Sequence, residues 1–349
     1  MTQSNGSKHV TLEDIAKKTG YSINTVSHAL RNKDDIARET REKIQRVAAE
    51  MGYMRNQIAS SLRSGRTHVL AVILGGMSNP FYGIMADSIQ DAAQSAGYSV
   101  MIMCSRDNAE LERVLVEEAI SRRVDGILLI PNSRSGPTIE RLRQSGMPFV
   151  LMSRYLNAGE ADSVICDEAE GAYLATRHLI ESGRRRLGYI ASRRVVFSSE
   201  RRLSGFLRAC DEAGIAPADR EIYESSRNIM AKRQLEAWYA ELVEKLAQLR
   251  NAGFDGLFVF CDVEAWHMLD AMQKSGRFAN DDFGIVSFDN IEGALSFPIP
   301  LCSVSYDFSL MAMKGVELLR HRIHHNDLPY QSAVIPVSLV CRGSCHRKG

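Results

Sequence analysis

A short polar stretch near the start of the chain has residue types and spacing suited to hydrogen bonding with nucleic-acid bases. In the segment YSINTVSHAL, Asn24, His28 and Arg31 recur at helical spacing on one face, while apolar residues form a second stripe. An asparagine amide both donates to and accepts from the edge of adenine, and a donor at position 28 could reach guanine. The spacing predicts a short helix with one buried apolar side and one polar side turned towards solvent.

Three short helices are predicted to position these side chains. Thr11 and Asp14 form a capping signal, Gly20 ends the first helix, Ser22 caps the second, and Thr40 opens the third. A tight glycine turn between two short helices is typical of a helix-turn-helix domain. The side chains expected inside this domain are Leu12, Ile15, Ala16, Val26, Ala29, Leu30, Ile44, Val47, Ala48 and Met51.

The charge is unevenly distributed along the 349 residues. The net charge is +1, but residues 1–66 hold 12 Lys and Arg against 7 Asp and Glu, and the remainder holds 31 against 35. A basic first segment joined to a mildly acidic body is expected of a nucleic-acid-binding module fused to a second domain.

Beyond Val69 the pattern changes to alternating apolar runs and amphipathic helices. Runs such as VLAVIL and GILLIP are typical of strands buried on both faces. Two successive series, the second starting near Val164 and ending in one strand AVIPVSLVC, predict two doubly wound parallel-sheet lobes with a ligand crevice between them. The expected helices are 80–96, 109–122, 136–145, 168–182, 200–213, 232–251, 264–275 and 309–324.

The remaining reactive residues argue against a metal site, a cofactor or an enzyme. Seven scattered cysteines (104, 166, 210, 261, 302, 341, 345) include no CxxC pair and are interpreted as small buried side chains in a reducing compartment. The trio His321, His324 and His325 has metal-ligand spacing but lacks a further ligand, as does the group Cys341, Cys345 and His346. The turn LGGMSNPF lacks the third glycine of a dinucleotide site. With no apolar signal segment, the chain is expected to be cytoplasmic and away from membranes.

Two long segments resemble the DNA-binding head and hinge of the LacI/GalR family of bacterial transcriptional regulators. They read VTLEDIAKKTGYSINTVSHALRN and TREKIQRVAAEMGYMRNQIASSLRSGRT, and the body segments NPFYGIMADSIQDAAQSAGYSVMI, RRVDGILLIP and IVSFDN also match. The resemblance runs from about Val10 to PVSLVCRGS. It implies an α/β protein with an N-terminal all-α helix-turn-helix head (1–54), a hinge helix and linker (55–68) and a periplasmic-binding-protein-like body of two doubly wound parallel-sheet lobes (69–349).

The resemblance also implies a repressor that binds a near-palindromic double-stranded operator as a homodimer, with a tetramer possible. Ile23, Asn24 and His28 would face bases. At the position of His28, members of the family commonly carry arginine. In the hinge, Asn56 would cap a helix, Ala59 would allow two hinge helices to approach, and Leu62 would wedge between base pairs. Replacing Leu62 with alanine should lower operator affinity without unfolding the body. The expected phosphate contacts are Thr11, Ser22, Thr25, Ser27 and Asn32.

Five body positions match the family's effector pocket: Phe81, Arg154, Arg202, Asp262 and Asp289. Acidic and basic side chains that converge between two lobes suit a polyhydroxylated ligand, which favours a sugar or sugar derivative as effector. A purine or nucleoside, or a protein corepressor, remains the alternative, and the sequence does not distinguish an inducer from a corepressor. A secreted sugar-binding protein would share the body but would have no use for residues 10–66.

Overall fold

The computed structural model describes residues 10–53, 65–132, 135–154, 159–192, 197–225, 232–279, 281–291 and 300–345. It divides into two units, Met1–Thr67 and His68–Gly349. In the described part of the chain, no helix is both long and apolar enough to span a membrane.

The first unit consists of three helices, α1 (Leu12–Thr19), α2 (Ile23–Ala29) and α3 (Arg38–Glu50). Its core is made by Ile15, Val26, Ala29, Ile44 and Ala48, all of which were expected inside. The other expected core residues are partly buried around these five.

Two helix boundaries in the first unit differ from the prediction. Helix α3 begins at Arg38, two residues before Thr40, and its N-cap residue Ala37 provides no side-chain hydrogen bond. Helix α2 ends at Ala29 instead of near Asn32, which has a positive φ of 55°. Because left-handed backbone does not continue a right-handed helix, the chain turns away there.

The second unit contains two six-stranded sheets. The first lobe has the strand order β11-β5-β4-β3-β1-β2, and all of its strand pairs are parallel. Its elements are β1 (Val69–Leu74), α4 (Pro80–Ser95), β2 (Ser99–Cys104), α5 (Ala109–Ser121), β3 (Gly126–Leu129), α6 (Gly136–Ser145), β4 (Phe149–Met152), β5 (Asp162–Cys166), α11 (Phe308–His324) and β11 (Ser332–Ile335).

The second lobe has the strand order β12-β10-β9-β8-β6-β7, with β12 antiparallel to β10 and the other pairs parallel. The antiparallel edge follows from the chain entering β12 directly from the first lobe. Its elements are α7 (Glu168–Glu181), β6 (Leu187–Ser192), α8 (Phe197–Glu212), a 3₁₀ turn (Pro217–Asp219), β7 (Arg220–Ser225), α9 (Lys232–Asn251), β8 (Gly256–Val259), α10 (Asp262–Ser275), β9 (Gly284–Phe288), β10 (Cys302–Tyr306) and β12 (Val337–Val340).

The chain crosses between the lobes three times, after β5, after β10 and after β11. Two predictions are therefore wrong. Strand β5, which includes Val164, pairs with β4 and belongs to the first lobe instead of starting the second. The run AVIPVSLVC is two strands, because Ile335 pairs with Cys166 in the first lobe and Val337 pairs with Tyr306 in the second. Pro336 between them has no N–H to donate, which suits a break in the ladder.

Helix α11 returns from the second lobe and packs against α4, β3, β4 and β5 of the first. The helix lies very close to the sheet: a Cβ added to Gly126 would be 2.8 Å from Leu319. Glycine at position 126 therefore permits the close packing of Leu319 of α11 against β3.

Candidate DNA-reading surface and effector cleft

Helix α2 is positioned by its cap and by its buried stripe. The Ser22 hydroxyl accepts a hydrogen bond of 3.1 Å from the backbone N–H of Thr25 and lies 2.9 Å from the Thr25 hydroxyl. Val26 and Ala29 are fully buried against α1 and α3. These two residues hold one face of α2 in the core, and the residues of its first turn, Ile23 and Asn24, remain exposed.

The N-terminal half of α2 presents the predicted base-reading residues to solvent. Ile23 is 46% exposed although it is a large apolar residue, and Asn24 is also exposed. Thr25 is partly buried. An exposed apolar side chain beside an exposed amide fits a thymine methyl beside an adenine edge.

His28 is held by a contact that the sequence reading missed. Its Nδ1 lies 2.6 Å from Oδ2 of Asp35, which belongs to the loop between α2 and α3. A carboxylate only accepts hydrogen bonds, so the ring donates through Nδ1. In the neutral ring Nε2 is then an acceptor, and in the protonated ring it is a donor. Asp35 therefore determines which ring nitrogen of His28 is available to DNA, and in the neutral ring it leaves Nε2 as an acceptor.

The other predicted DNA contacts lie in different environments. Thr11 and Asp14 form the expected capping box, with the Thr11 N–H donating to Asp14 at 2.9 Å. The Asn32 side chain accepts from Gln45 at 2.6 Å. Ser27 is only 7% exposed, which leaves little of its surface for a phosphate contact. The hinge predictions at Asn56, Ala59 and Leu62 lie outside the described residues.

In the second unit, predicted effector residues from both lobes lie just beyond the carboxyl ends of parallel strands. Arg154 follows β4 in the first lobe, and Asp289 directly follows β9 in the second. Burial raises the pKa of Asp289, and the charge of Arg154 is among those that oppose this rise. Strand ends facing each other in this way are the usual location of a ligand crevice in open α/β folds.

Arg202 of α8 connects Glu168, the first residue of α7 after the first crossover, to Asp289. It is buried; its Nε donates to Glu168 at 2.5 Å, and its Nη2 lies 3.5 Å from Asp289. It also donates to the Phe260 carbonyl, and its guanidinium stacks 3.7 Å from the ring centre of Phe288. Two carboxylates and an aromatic face therefore stabilise its buried charge.

Burial dominates the electrostatics of Asp289 and raises its pKa to about 7. The carboxylates of Asp262 and Glu168 act in the same direction. The guanidinium groups of Arg202 and Arg154 oppose the increase. Asp289 is therefore poised to change charge near neutral pH.

Asp262 is surrounded by internal donors. Its Oδ1 accepts from the hydroxyls of Ser287 and Ser303, and its Oδ2 accepts from the Ile291 N–H at 2.8 Å. The carboxylate is 1% exposed, and burial raises its pKa. These bonds tie the start of α10 to β9 and β10, so the contacts of Asp262 are internal to the lobe, and its contact with a ligand stays a prediction.

Phe81 begins a row of aromatic rings that runs from one lobe to the other. Its ring centre lies 5.8 Å from that of Phe308, which stacks on Tyr306 at 4.7 Å, and Tyr306 lies 6.3 Å from Phe288. Phe308 and Tyr306 flank the second crossover. No sequence motif marks Tyr306, Phe308 or Glu168; the available signal was their position at strand ends and crossovers.

The structure also brings together four residues that were interpreted separately. In the described part of the chain, His178, Cys302, Cys341 and Cys345 form a group of potential metal ligands. These three cysteines are scattered along the sequence but adjacent in the structure, where Cys302 and His178 stand as further candidate ligands beside Cys341 and Cys345. The trio His321, His324 and His325 lies at the end of α11, and His346 lies outside the described residues.

A helical unit whose second helix exposes Ile23 and Asn24, in the same chain as a unit of two parallel-sheet lobes, is typical of the class of DNA-binding regulators. Residues 11–56 match the description bacterial regulatory proteins, lacI family. Residues 67–241 match periplasmic binding proteins and sugar binding domain of LacI family, and residues 176–345 match periplasmic binding protein-like domain.

Individual relatives extend these matches over nearly the whole chain. The transcriptional regulator DegA of Bacillus subtilis (strain 168) is 30% identical, covering 96% of this chain and 97% of its own. The transcriptional repressor PurR of Aliivibrio salmonicida (strain LFI1238) is 25% identical, covering 97% and 99%. The Lac repressor dimer bound to operator and the anti-inducer ONPF shares the fold, with a TM-score of 0.80, 23% identity and coverage of 97% and 100%.

The chain belongs to the LacI family and is a transcriptional regulator. The predicted fold class and the resemblance drawn from the sequence are both confirmed.

Proposed function

We propose that this protein is a repressor that binds a near-palindromic operator as a homodimer in the cytoplasm and is controlled by a small polar effector between its lobes. The observation that carries the DNA-binding proposal is the capped, core-anchored helix α2 with Ile23 and Asn24 exposed at its N-terminal half. In helix-turn-helix proteins, that half of the second helix meets base edges in the major groove.

The effector proposal rests on the convergence of Arg154 and Asp289 from two lobes. Arg202 lies 3.5 Å from Asp289, and the aromatic row runs from one lobe to the other, so a ligand with hydroxyls and an apolar face would find both kinds of partner. Because Phe81, Arg202 and Asp289 are nearly buried, ligand binding would have to exchange their internal contacts for ligand contacts. Such an exchange would change the lobe geometry.

A sugar or sugar derivative is the effector class we favour. The relative titled transcriptional regulator CelR–cellobiose complex is 25% identical, with a TM-score of 0.68 and coverage of 96% of this chain and 100% of its own. A purine-type effector is the second candidate, because several relatives are repressors named PurR.

A ligand screen followed by operator binding tests this proposal. Sugars, sugar phosphates, nucleosides and purines are screened by thermal shift on the full chain, and each hit is added to an operator selected from randomised duplexes. A hit that weakens DNA binding is an inducer, and one that tightens it is a corepressor.

Two variants serve as reciprocal controls. Asn24→Ala should lose about 5- to 150-fold in operator affinity and keep the thermal shift with ligand, since a good base contact contributes about 1–3 kcal/mol. Arg154→Met should keep operator affinity and lose the response to ligand. Parent-like operator binding by Asn24→Ala, or a parent-like ligand response by Arg154→Met, would contradict the respective half of the proposal.

A further inference from the structure

Three cysteines and a histidine from distant parts of the chain meet in the second lobe. This Cys–His cluster consists of His178 in α7, Cys302 at the start of β10, Cys341 after β12, and Cys345 four residues further on. Their ligand atoms all lie within 4.8 Å of one another. His178 is partly buried, Cys302 and Cys345 are buried, and Cys341 is exposed.

The distances in the cluster are close to those around a tetrahedral metal ion. The Sγ atoms of Cys302 and Cys341 are 3.8 Å apart, and those of Cys302 and Cys345 are 3.4 Å apart. The Nε2 of His178 lies 2.8 Å from Sγ of Cys345. Zinc–sulfur bonds of about 2.3 Å in a tetrahedron separate two sulfurs by about 3.8 Å. Small movements of Cys345 and His178 would complete this geometry.

The loop that carries two of the ligands is held in place by its own hydrogen bonds. Gly343, with a φ of 101°, bends the segment Cys341–Cys345 in a conformation that favours glycine. The Ser344 hydroxyl accepts from the Cys302 N–H at 2.8 Å and donates to the Ile285 carbonyl at 2.5 Å. These bonds fix the loop on β9 and β10.

A backbone N–H also points at one of the sulfurs. The N–H of Arg342 donates to Sγ of Cys302 at 3.2 Å. Hydrogen bonds of this kind stabilise thiolates and orient metal ligands in established metal sites. The cluster therefore has outer contacts as well as four ligand atoms.

We propose that the Cys–His cluster binds one Zn²⁺ ion through three thiolates and Nε2 of His178. On binding, each of the three thiols releases its proton to solvent as its sulfur bonds to the metal. A disulfide would use only two sulfurs and would leave the third sulfur and the imidazole unexplained. Four protein ligands fill a tetrahedral zinc site, which makes it structural, and the exposed Cys341 provides the entry path. The ion would fasten the segment after β12 to α7 and β10.

Metal analysis of the full chain tests the site. The protein is stripped with a chelator under reducing conditions, loaded with Zn²⁺, desalted and measured by atomic emission, where about one zinc per chain is expected. In the Co²⁺-loaded protein we expect thiolate-to-cobalt charge transfer and the visible bands of tetrahedral cobalt. Cys341→Ser should lose both signals, and it should fold because Cys341 is exposed.

The matched control is Cys104→Ser, which removes a cysteine of the first lobe and should retain the metal. Chelator should lower the thermal midpoint of the parent and of Cys104→Ser but leave Cys341→Ser unchanged. Failure of the reduced parent to take up metal, or parent-like metal content in Cys341→Ser, would overturn the proposal. A two-hydrogen mass loss from a disulfide without metal uptake would also overturn it.

Discussion

At the scale of single residues, the contact between His28 and Asp35 decides what α2 offers to DNA. Asp35 holds Nδ1 as a donor, so the free Nε2 of a neutral ring accepts a hydrogen bond. An acceptor fits the exocyclic amino groups of adenine or cytosine, whereas arginine at this position would donate to guanine. A substitution at position 28 can thus change which base is recognised without any change of fold.

We expect His28→Arg to change operator preference more than total affinity. The arginine donates two hydrogen bonds where the neutral ring accepts one, which shifts base discrimination at one position by about 1–3 kcal/mol. Selection of randomised operators with both proteins measures the change. Asp35→Asn is the companion variant: its amide can donate to Nδ1 as well as accept from it, so Nδ1 is no longer held as a donor and the preference at the same base pair should relax. Identical enriched sites for all three proteins would contradict the assignment.

Asp289 should make stability depend on pH. Its pKa is about 7 in the folded protein and about 4 when unfolded, so the folded state binds the extra proton between these values. Stability contributed by this group is therefore present at about pH 4 and is lost as the pH rises through about 7, by at most about 1.4 kcal/mol per pH unit. Asp289→Asn should flatten this slope in denaturation curves measured across the range.

The control for this pH dependence is Asp87→Asn, at an exposed position on α4. It should leave the slope of stability against pH as in the parent. A slope that is unchanged in Asp289→Asn would show that the carboxyl is already ionised in the acid range.

At the scale of elements, caps and turns decide where the helices begin and end. Ser22 caps α2 through its side chain, whereas the expected opener Thr40 lies inside α3, which begins without a side-chain cap. The sequence predicted both hydroxyls as openers because spacing alone does not show which N–H groups lack partners. The structural difference between them can be tested directly.

Ser22→Ala should destabilise the first turn of α2 by about 1 kcal/mol, since the Thr25 N–H loses its acceptor. Faster hydrogen exchange of the α2 amides in the full chain, together with weaker operator binding, is the expected readout. Thr40→Ala is the matched control and should leave α2 exchange unaltered. Equal exchange in the two variants would show that Ser22 is dispensable as a cap.

The strands show how far local pattern can predict an element. Continuous apolar runs predicted β1, β3, β4 and β8 because both of their faces are buried. Strand β10 was missed because its sequence CSVSY contains two serines, one of which donates to the buried Asp262. Its polarity belongs to a contact across the sheet, which neighbouring residues in the sequence cannot indicate.

At the scale of the whole molecule, the end of the chain completes both lobes. Arg322 of α11 makes a bidentate bond to Asp162 of β5, at 2.7 Å and 3.0 Å, and donates to the carbonyls of Asn326, Leu328 and Pro329. Both charged groups are 2% exposed. This contact and the Cys–His cluster join residues more than 100 positions apart, which is why a single sequence did not reveal either.

Arg322→Met should cost about 3–5 kcal/mol of stability because it leaves Asp162 buried without its cation. A lower thermal unfolding midpoint of the full chain measures the loss. Arg320→Met, which alters an exposed arginine on the same helix, is the control and should behave as the parent. If Arg322→Met unfolds at the parent's temperature, the ion pair does not hold the lobe together.

The three crossings between the lobes also determine the order in which the protein can fold as it is synthesised. A nascent chain that has reached Tyr306 has made ten strands, yet the first sheet still lacks α11 and β11 and the second still lacks β12. Until α11 leaves the ribosome, the side of β3, β4 and β5 that it covers stays open to water. The first lobe is completed by β11 and the second by β12, so both lobes can mature only after these two strands have been translated.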